Sequence, residues 1–213
     1  MRIRHVLLTA WAALAFVPPA DASLFRVTID TVPLAGVSGF AAFDFIVGAP
    51  AAGNSAVLNQ FTSDGTASTS SSTGDVAGTL VPGPLLLGGG SQLFSEWLQG
   101  FSAFGSLMTF DIDLGANTSP GGRPDQFAFF LLDGSQLPFA TTDPTGAGAL
   151  FFFNLTGLGT APVIYTSAFA AASIEPIGAD VSEPVTLLLA LAALASMGLA
   201  RVGRSAARAR PQD

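Results

Sequence analysis

Two aspartates separated by a single residue are the side chains in this sequence best placed to do chemistry together. Asp111 and Asp113 alternate with Phe110, Ile112 and Leu114, and a strand projects alternate side chains to the same face. We therefore expect both carboxylates on one side of a sheet. Such a pair can catalyse glycoside hydrolysis or hold Ca²⁺ through oxygen ligands. The favoured interpretation is simpler, a solvated strand face opposite the three apolar residues.

A calcium site would need further oxygen ligands, and Asp125 follows the next Gly/Pro-rich loop. We take Asp111, Asp113 and Asp125 as the candidate Ca²⁺ ligands and expect no other cofactor. Residues 63–65 (Ser-Asp-Gly) and 133–135 (Asp-Gly-Ser) resemble fragments of calcium loops. Each lacks the remaining ligands at the required spacing, so plain turns are expected there.

Composition removes most other chemistries. The chain has no cysteine and no lysine, and its one histidine, His5, lies near the N-terminus. Thiol catalysis, histidine triads and Cys- or His-based metal sites are thereby excluded between residues 23 and 180. That segment carries two arginines against twelve carboxylates, so nucleic acid is not an expected partner. The sequence predicts a non-catalytic protein, with a carboxylate-dependent secreted glycosidase as the alternative.

The elements that must position these residues read as short strands. Residues 25–30, 39–47, 56–62, 106–114 and 126–132 are apolar at alternate positions or continuously, and Gly, Pro, Asn and Asp separate them. About eight to ten strands predict a mainly β domain over residues 23–180, a jelly-roll-like β-sandwich with phenylalanines between its sheets. Phe40, Phe43 and Phe45 are core candidates. Residues 91–98 are the one helix predicted within residues 23–180. Residues 67–74 are either a polar edge strand or a mobile loop.

The N-terminus has the pattern of a secretory signal peptide. Arg2 and Arg4 precede an apolar stretch over residues 6–17, and Ala20 and Ala22 provide small residues before Ser23. We expect signal peptidase to remove residues 1–22 and the mature chain to begin at Ser23.

The C-terminus has the pattern of a membrane anchor followed by a basic tail. Ser182, Glu183 and Pro184 precede an uncharged apolar run over residues 185–200, and Arg201 and Arg204 open the tail. A transmembrane helix is expected at about residues 184–201, with a basic tail over residues 201–213. Arginines favour the cytoplasmic side, which places residues 23–180 in the periplasm.

This C-terminal order, over residues 181–213, resembles the PEP-CTERM sorting signal of exported proteins in Gram-negative bacteria that make exopolysaccharide. Ser182 stands where that signal has its first proline, and the arginines are spread along the tail. The resemblance implies an exosortase-like processing enzyme as a partner. It also implies an inner-membrane anchored protein that reaches the cell surface or the medium after processing.

The segment between the two signals is similar to exported PEP-CTERM proteins of undefined activity. The similarity rests on residues 24–28, 61–65, 98–101, 110–114 and 141–144, which read as Leu-Phe-Arg-Val-Thr, Phe-Thr-Ser-Asp-Gly, Leu-Gln-Gly-Phe, Phe-Asp-Ile-Asp-Leu and Thr-Thr-Asp-Pro. These motifs are structural and imply no catalytic residue. The function expected from both resemblances is that of a cell-envelope or extracellular-matrix protein that associates with exopolysaccharide.

Overall fold

The computed structural model of the chain describes residues 23–48, 53–115, 123–156 and 161–178. Within these residues the protein is mainly β, as predicted, and its one helical element is a short 3-10 helix, Val32–Leu34. No helix of the described ranges is long and apolar enough to cross a membrane. The predicted signal peptide and C-terminal membrane helix lie outside these residues. The strands are β1 Ser23–Asp30, β2 Gly39–Ile46, β3 Ser55–Ser63, β4 Thr66–Thr73, β5 Val76–Gly78, β6 Leu85–Gly88, β7 Phe94–Ala103, β8 Leu107–Gly115, β9 Asp125–Asp133, β10 Phe151–Leu155, β11 Pro162–Ile164 and β12 Ala171–Pro176.

The strands form two antiparallel sheets of six. The first sheet has the order β12-β1-β8-β3-β6-β5, and the second has the order β11-β10-β9-β2-β7-β4. In both sheets most neighbours are distant in sequence, so the register of long-range pairs decides which side chains meet. The inner faces of the sheets pack on each other in a sandwich-like arrangement, since Phe43 of the second sheet contacts Phe110 of the first at a ring-centroid distance of 5.4 Å.

Phenylalanine fills the space between the sheets because it occupies alternate strand positions. Phe43 and Phe45 on β2 are fully buried, as the sequence predicts. Phe40 was also predicted to be a core residue, and this prediction is wrong because Phe40 does not lie between the two sheets. Phe40 is three residues from Phe43, so the period of two turns it to the opposite face, where it packs on Ala42 and Leu98. The other phenylalanines among the largest fully buried side chains are Phe104, Phe110, Phe127, Phe129, Phe151 and Phe153.

The predicted helix over residues 91–98 is wrong. The chain is extended from Phe94 and forms β7, which pairs with β2 on one side and β4 on the other. Apolar residues at 93, 94, 97 and 98 fit a helix equally well by spacing, but backbone pairing on both sides stabilises the strand. Gly88, the last residue of β6, allows the first sheet to lie close to Phe45 of the second sheet. A Cβ at this position would lie 2.6 Å from the Phe45 ring.

The Ser/Thr tract is an edge strand. Residues of β4, Thr66–Thr73, are all exposed and pair only with β7 in the second sheet. Of the two interpretations open for this tract, the polar edge strand is therefore correct. A short polar edge discourages pairing with another chain's strand.

Candidate functional site

Asp111 and Asp113 do lie on one face, the outer face of the first sheet. They alternate on β8 with the buried Phe110, Ile112 and Leu114. The strand period predicted this correctly. The two carboxylates nevertheless differ in surroundings, since Asp111 is only 6% exposed while Asp113 is half-buried.

Asp111 is held by an arginine from the neighbouring strand. Arg26 lies opposite Asp111 in the β1–β8 register, and its Nε and Nη2 donate to Oδ1 and Oδ2 at 2.9 and 3.0 Å. This two-point geometry is the strong form of the arginine–carboxylate contact. The hydrogen bond and charge of Asp111 raise the pKa of Arg26 above its usual range. The pair is therefore a fixed polar platform on the outer surface of the sheet.

A cleft opens beside this ion pair. It has a volume of about 380 Å³, and Asp111, Asn59 and Gln60 line its polar side. The apolar part of the wall comes from Leu24 and from the loop between β5 and β6. Its remaining lining residues are Pro82, Gly83 and Pro84.

An irregularity in β3 shapes the polar wall of the cleft. Asn59 lies directly opposite Asp111, and the β3–β8 register shifts between Asn59 and Thr62. Gln60 sits inside this bulge with a φ of 53°, a left-handed conformation that is uncommon for a residue other than glycine. Bulges redirect side chains at sheet positions that serve a site. Here the bulge brings Gln60 to the cleft beside Asn59.

The other predicted ligands are not brought to this cleft. Asp125 begins β9 in the second sheet, is 2% exposed, and accepts hydrogen bonds from Gly48 N at 2.7 Å and Asn54 Nδ2 at 2.8 Å. It anchors the start of that strand, while Asp111 and Asp113 lie on the outside of the first sheet. Within the described residues no group of three His, Cys, Asp or Glu side chains is placed to hold a metal ion. Calcium binding stays a prediction.

The two calcium-loop fragments are turns whose carboxylates accept backbone hydrogen bonds. Asp64 accepts from Ser106 N at 3.1 Å and Leu107 N at 2.9 Å, which ties the β3–β4 turn to the β7–β8 turn. These bonds, with one from the Ser106 hydroxyl as the largest cause, lower the pKa of Asp64 to about 2. Asp133 accepts from Ser135 N and Leu137 N at 2.8 and 2.9 Å in its own turn. Both aspartates therefore have structural partners.

Sequence reasoning missed a second acidic pair, Asp44 and Glu96. The two residues are 52 positions apart in sequence and lie directly opposite each other in the β2–β7 register. Both point to the outer face of the second sheet, and Oδ1 of Asp44 is buried with no hydrogen-bond partner among the described residues. Burial first, and the charge of Glu96 second, raise the pKa of Asp44 from 3.8 to about 7. Burial also raises the pKa of Glu96. Only long-range register could have revealed this pair.

The remaining predicted site residues belong to the terminal signals. Ser23 is the first residue of β1. Ala20 and Ala22 lie outside the described residues, and so do the sorting-motif positions Ser182, Glu183, Pro184, Arg201 and Arg204.

Comparisons of the chain with protein-family models, curated proteins and solved structures return no match. The chemistry of the cleft and of the two outer sheet faces is therefore the guide to function.

Proposed function

We propose that this chain is an exported, non-catalytic cell-envelope or extracellular-matrix protein that associates with exopolysaccharide through the cleft beside Asp111. The single observation that supports this is the lining of the cleft, in which Asp111, Asn59 and Gln60 adjoin apolar Leu24, Pro82 and Pro84. The proposal includes a jelly-roll-like β-sandwich over residues 23–180.

The lining suits a sugar for reasons of hydrogen bonding. Each sugar hydroxyl both donates and accepts, so it can donate to the Asp111 carboxylate or bond to the amides of Asn59 and Gln60. Proline rings and Leu24 offer apolar surface to the C–H faces of the ring. The cleft volume of about 380 Å³ falls in the ~300–1,000 Å³ range of ligand pockets. The engaged Arg26 fixes Asp111 as an acceptor, which favours binding over proton transfer.

Removal of the two cleft amides should weaken binding to the polysaccharide. In affinity gels containing exopolysaccharide purified from the producing cells, the full chain should be retarded, while a gel containing dextran measures nonspecific retardation. Asn59→Ala with Gln60→Gly removes both amides, and glycine accepts the left-handed backbone at position 60. Losing about two hydrogen bonds should weaken binding about tenfold or more.

The matched control removes the same two side-chain types from the other sheet. Asn154→Ala with Gln126→Ala deletes an amide pair bonded at 3.1 Å on the outer face of the second sheet. This variant should be retarded as strongly as the unaltered chain. Equal retardation of the cleft variant, or no retardation of any form, would remove the proposal.

Processing at both termini is the second part of the proposed function. We propose that signal peptidase cleaves after Ala22, that the segment over residues 184–201 anchors the chain in the inner membrane, and that an exosortase-like enzyme recognises the C-terminal signal. Small residues at Ala20 and Ala22 and the arginines after an apolar run support this. Terminal sequencing and the intact mass of protein from membrane and medium fractions should show a chain beginning at Ser23. A retained Met1 in the envelope fraction would contradict it.

A carboxylate-dependent glycosidase is the second candidate, and Asp44 with Glu96 is the observation that favours it. Directly opposed strand residues have Cβ atoms ~5 Å apart. Two neighbouring carboxyl groups, of which Asp44 has the pKa raised to about 7 and Glu96 has a raised pKa as well, offer the acid and the nucleophile of a retaining glycosidase. Release of reducing ends from the same exopolysaccharide, abolished by Asp44→Asn and by Glu96→Gln, would establish it. Absence of such turnover supports the non-catalytic function.

A further inference from the structure

The outer face of the second sheet is unusually apolar for a surface. Ala42, Leu98 and Leu132 are buried there, and Phe40 and Phe130 pack against them. At one end of the same face, where Phe94 lies opposite Ile46, the two side chains are 40% and 38% exposed. The outer face of a sheet in a sandwich normally carries polar side chains. The accessible apolar surface of this face is therefore formed by the half-buried Phe40 and Phe130 together with Phe94 and Ile46. Exposed apolar patches mark interaction sites.

The carboxylates of Asp44 and Glu96 lie within this apolar surface. Ala128 on β9 faces Asp44 from one side, and Thr73 on β4 faces Glu96 from the other. No described residue supplies a positive charge to the pair. Of the two arginines in the described residues, Arg26 is bound to Asp111 on the first sheet, and Arg123 precedes β9 and forms no ion pair with Asp44 or Glu96.

We propose that the outer face of the second sheet docks a segment of a partner protein that presents a lysine or arginine within an apolar contact surface. Apolar side chains of the partner would cover Phe40, Phe94 and Phe130. The cation would lie against the carboxyl groups of Asp44 and Glu96, to which no described residue supplies a positive charge. This surface is separate from the polysaccharide cleft, and the inference does not depend on it.

Charge complementarity selects this occupant over the others. A second copy packed through the same face would bring four carboxyl groups together, and anionic lipid would be repelled by the same charges. A sugar would find few hydrogen-bonding groups around Ala42, Leu98 and Ala128. The four long strands of this sheet, β9, β2, β7 and β4, are eight to ten residues long, and at a spacing of about 4.8 Å they make a face of about 550 Å². This is smaller than the ~800 Å² that one partner contributes to a standard protein interface and fits a short docked segment.

The probe for this proposal is a short amphipathic peptide with leucine on one side, glutamine on the other, and one lysine at the centre of the leucine side. A second peptide has glutamine in place of that lysine. The full chain is held in phosphatidylcholine nanodiscs because of its apolar run at residues 185–200, and empty nanodiscs measure the peptide's own lipid binding. We expect the lysine peptide to bind the chain at least about tenfold more tightly than the glutamine peptide.

Two double variants with the same change in charge locate the interaction. Asp44→Asn with Glu96→Gln should lower the affinity for the lysine peptide by about tenfold or more. Asp113→Asn with Glu175→Gln removes one Asp and one Glu from the outer face of the first sheet, and it should leave the affinity within about twofold. Circular dichroism of each variant verifies that its sheets are intact.

A pH series supplies a readout that simple contact would not give. Glu96 is the titratable side chain that faces Asp44 across the β2–β7 pair, while the facing position on β9 is Ala128 and that on β4 is Thr73. A partner cation favours ionised Asp44, so affinity should rise from pH 6 to pH 8. Equal binding of both peptides, an equal loss in both double variants, or dimers that disappear only with Asp44→Asn and Glu96→Gln would overturn the proposal.

Discussion

Replacing Asp44 with asparagine should make the protein more stable at pH 8 and reduce the pH dependence of its stability. The folded-state pKa of Asp44 is raised from 3.8 to about 7, chiefly by burial. The folded chain therefore holds a proton that the unfolded chain releases. Its favourable contribution is fully present below about pH 4 and is lost as the pH rises through about 7.

The expected change in the free energy of unfolding follows from the difference between the folded-state and unfolded-state pKa values of Asp44. A pKa raised from 3.8 to about 7 corresponds to a loss of roughly 4 kcal/mol in the free energy of unfolding by pH 8. Incomplete burial of Asp44 makes this value an upper limit. Asparagine keeps the shape of the side chain without the charge. The variant should therefore match the unaltered chain below about pH 4. Because part of the loss has already occurred by pH 5, the advantage of the variant should be up to about 3 kcal/mol larger at pH 8 than at pH 5.

Urea denaturation followed by circular dichroism at pH 5 and pH 8 measures both values. Asp113→Asn is the control, because Asp113 is a half-buried aspartate on the outer face of the first sheet. Its stability should follow that of the unaltered chain at both pH values. If Asp44→Asn were destabilised equally at pH 5 and pH 8, the buried-carboxyl account of this face would be wrong.

Truncation of Phe43 should greatly destabilise the fold, because this ring joins the two sheets. It is fully buried and contacts Phe110 and Phe61 of the first sheet at 5.4 and 6.3 Å, and Phe129 of its own sheet at 5.1 Å. Phe43→Ala removes contacts across both sheets and leaves a cavity. The free energy of unfolding should fall by about 3–5 kcal/mol, a large part of the ~5–15 kcal/mol typical of a domain.

Phe94→Ala is the matched control for that measurement. Phe94 is on the outer face of the second sheet and 40% exposed, so its truncation should cost about 1 kcal/mol or less. Equal losses for Phe43→Ala and Phe94→Ala in urea denaturation would contradict the placement of the core between the two sheets.

Alternating or continuous apolar residues, separated by turn residues, were enough to predict most strands. They identified β1, β2, β8 and β9 to within a residue or two, and the period of two correctly placed Asp111 and Asp113 on one face. The apolar pattern failed to predict the structure where the same residues fit both the helical period and the strand period. Residues 91–98 satisfy helical spacing, but pairing of β7 with β2 and β4 decided the outcome.

The functional surfaces were harder to predict because they depend on long-range register. Asp44 meets Glu96 only because β2 pairs with β7 in one particular alignment. Arg26 reaches Asp111 across 85 positions of sequence, and the cleft further requires the bulge at Gln60. None of these contacts leaves a local pattern. Phe40 shows the same limit. Whether its side chain points to the inner or the outer face of the sheet depends on its position in the alternation along β2 and not on its residue type.

Hydrogen–deuterium exchange of the full chain, with and without exopolysaccharide from the producing cells, tests polysaccharide binding at the cleft most directly. We expect slower exchange at the amides of Asn59 and Gln60 and in the β5–β6 loop over residues 79–84, with the outer face of the second sheet unchanged. Unchanged exchange at the cleft, or protection confined to β2 and β7, would contradict polysaccharide binding there.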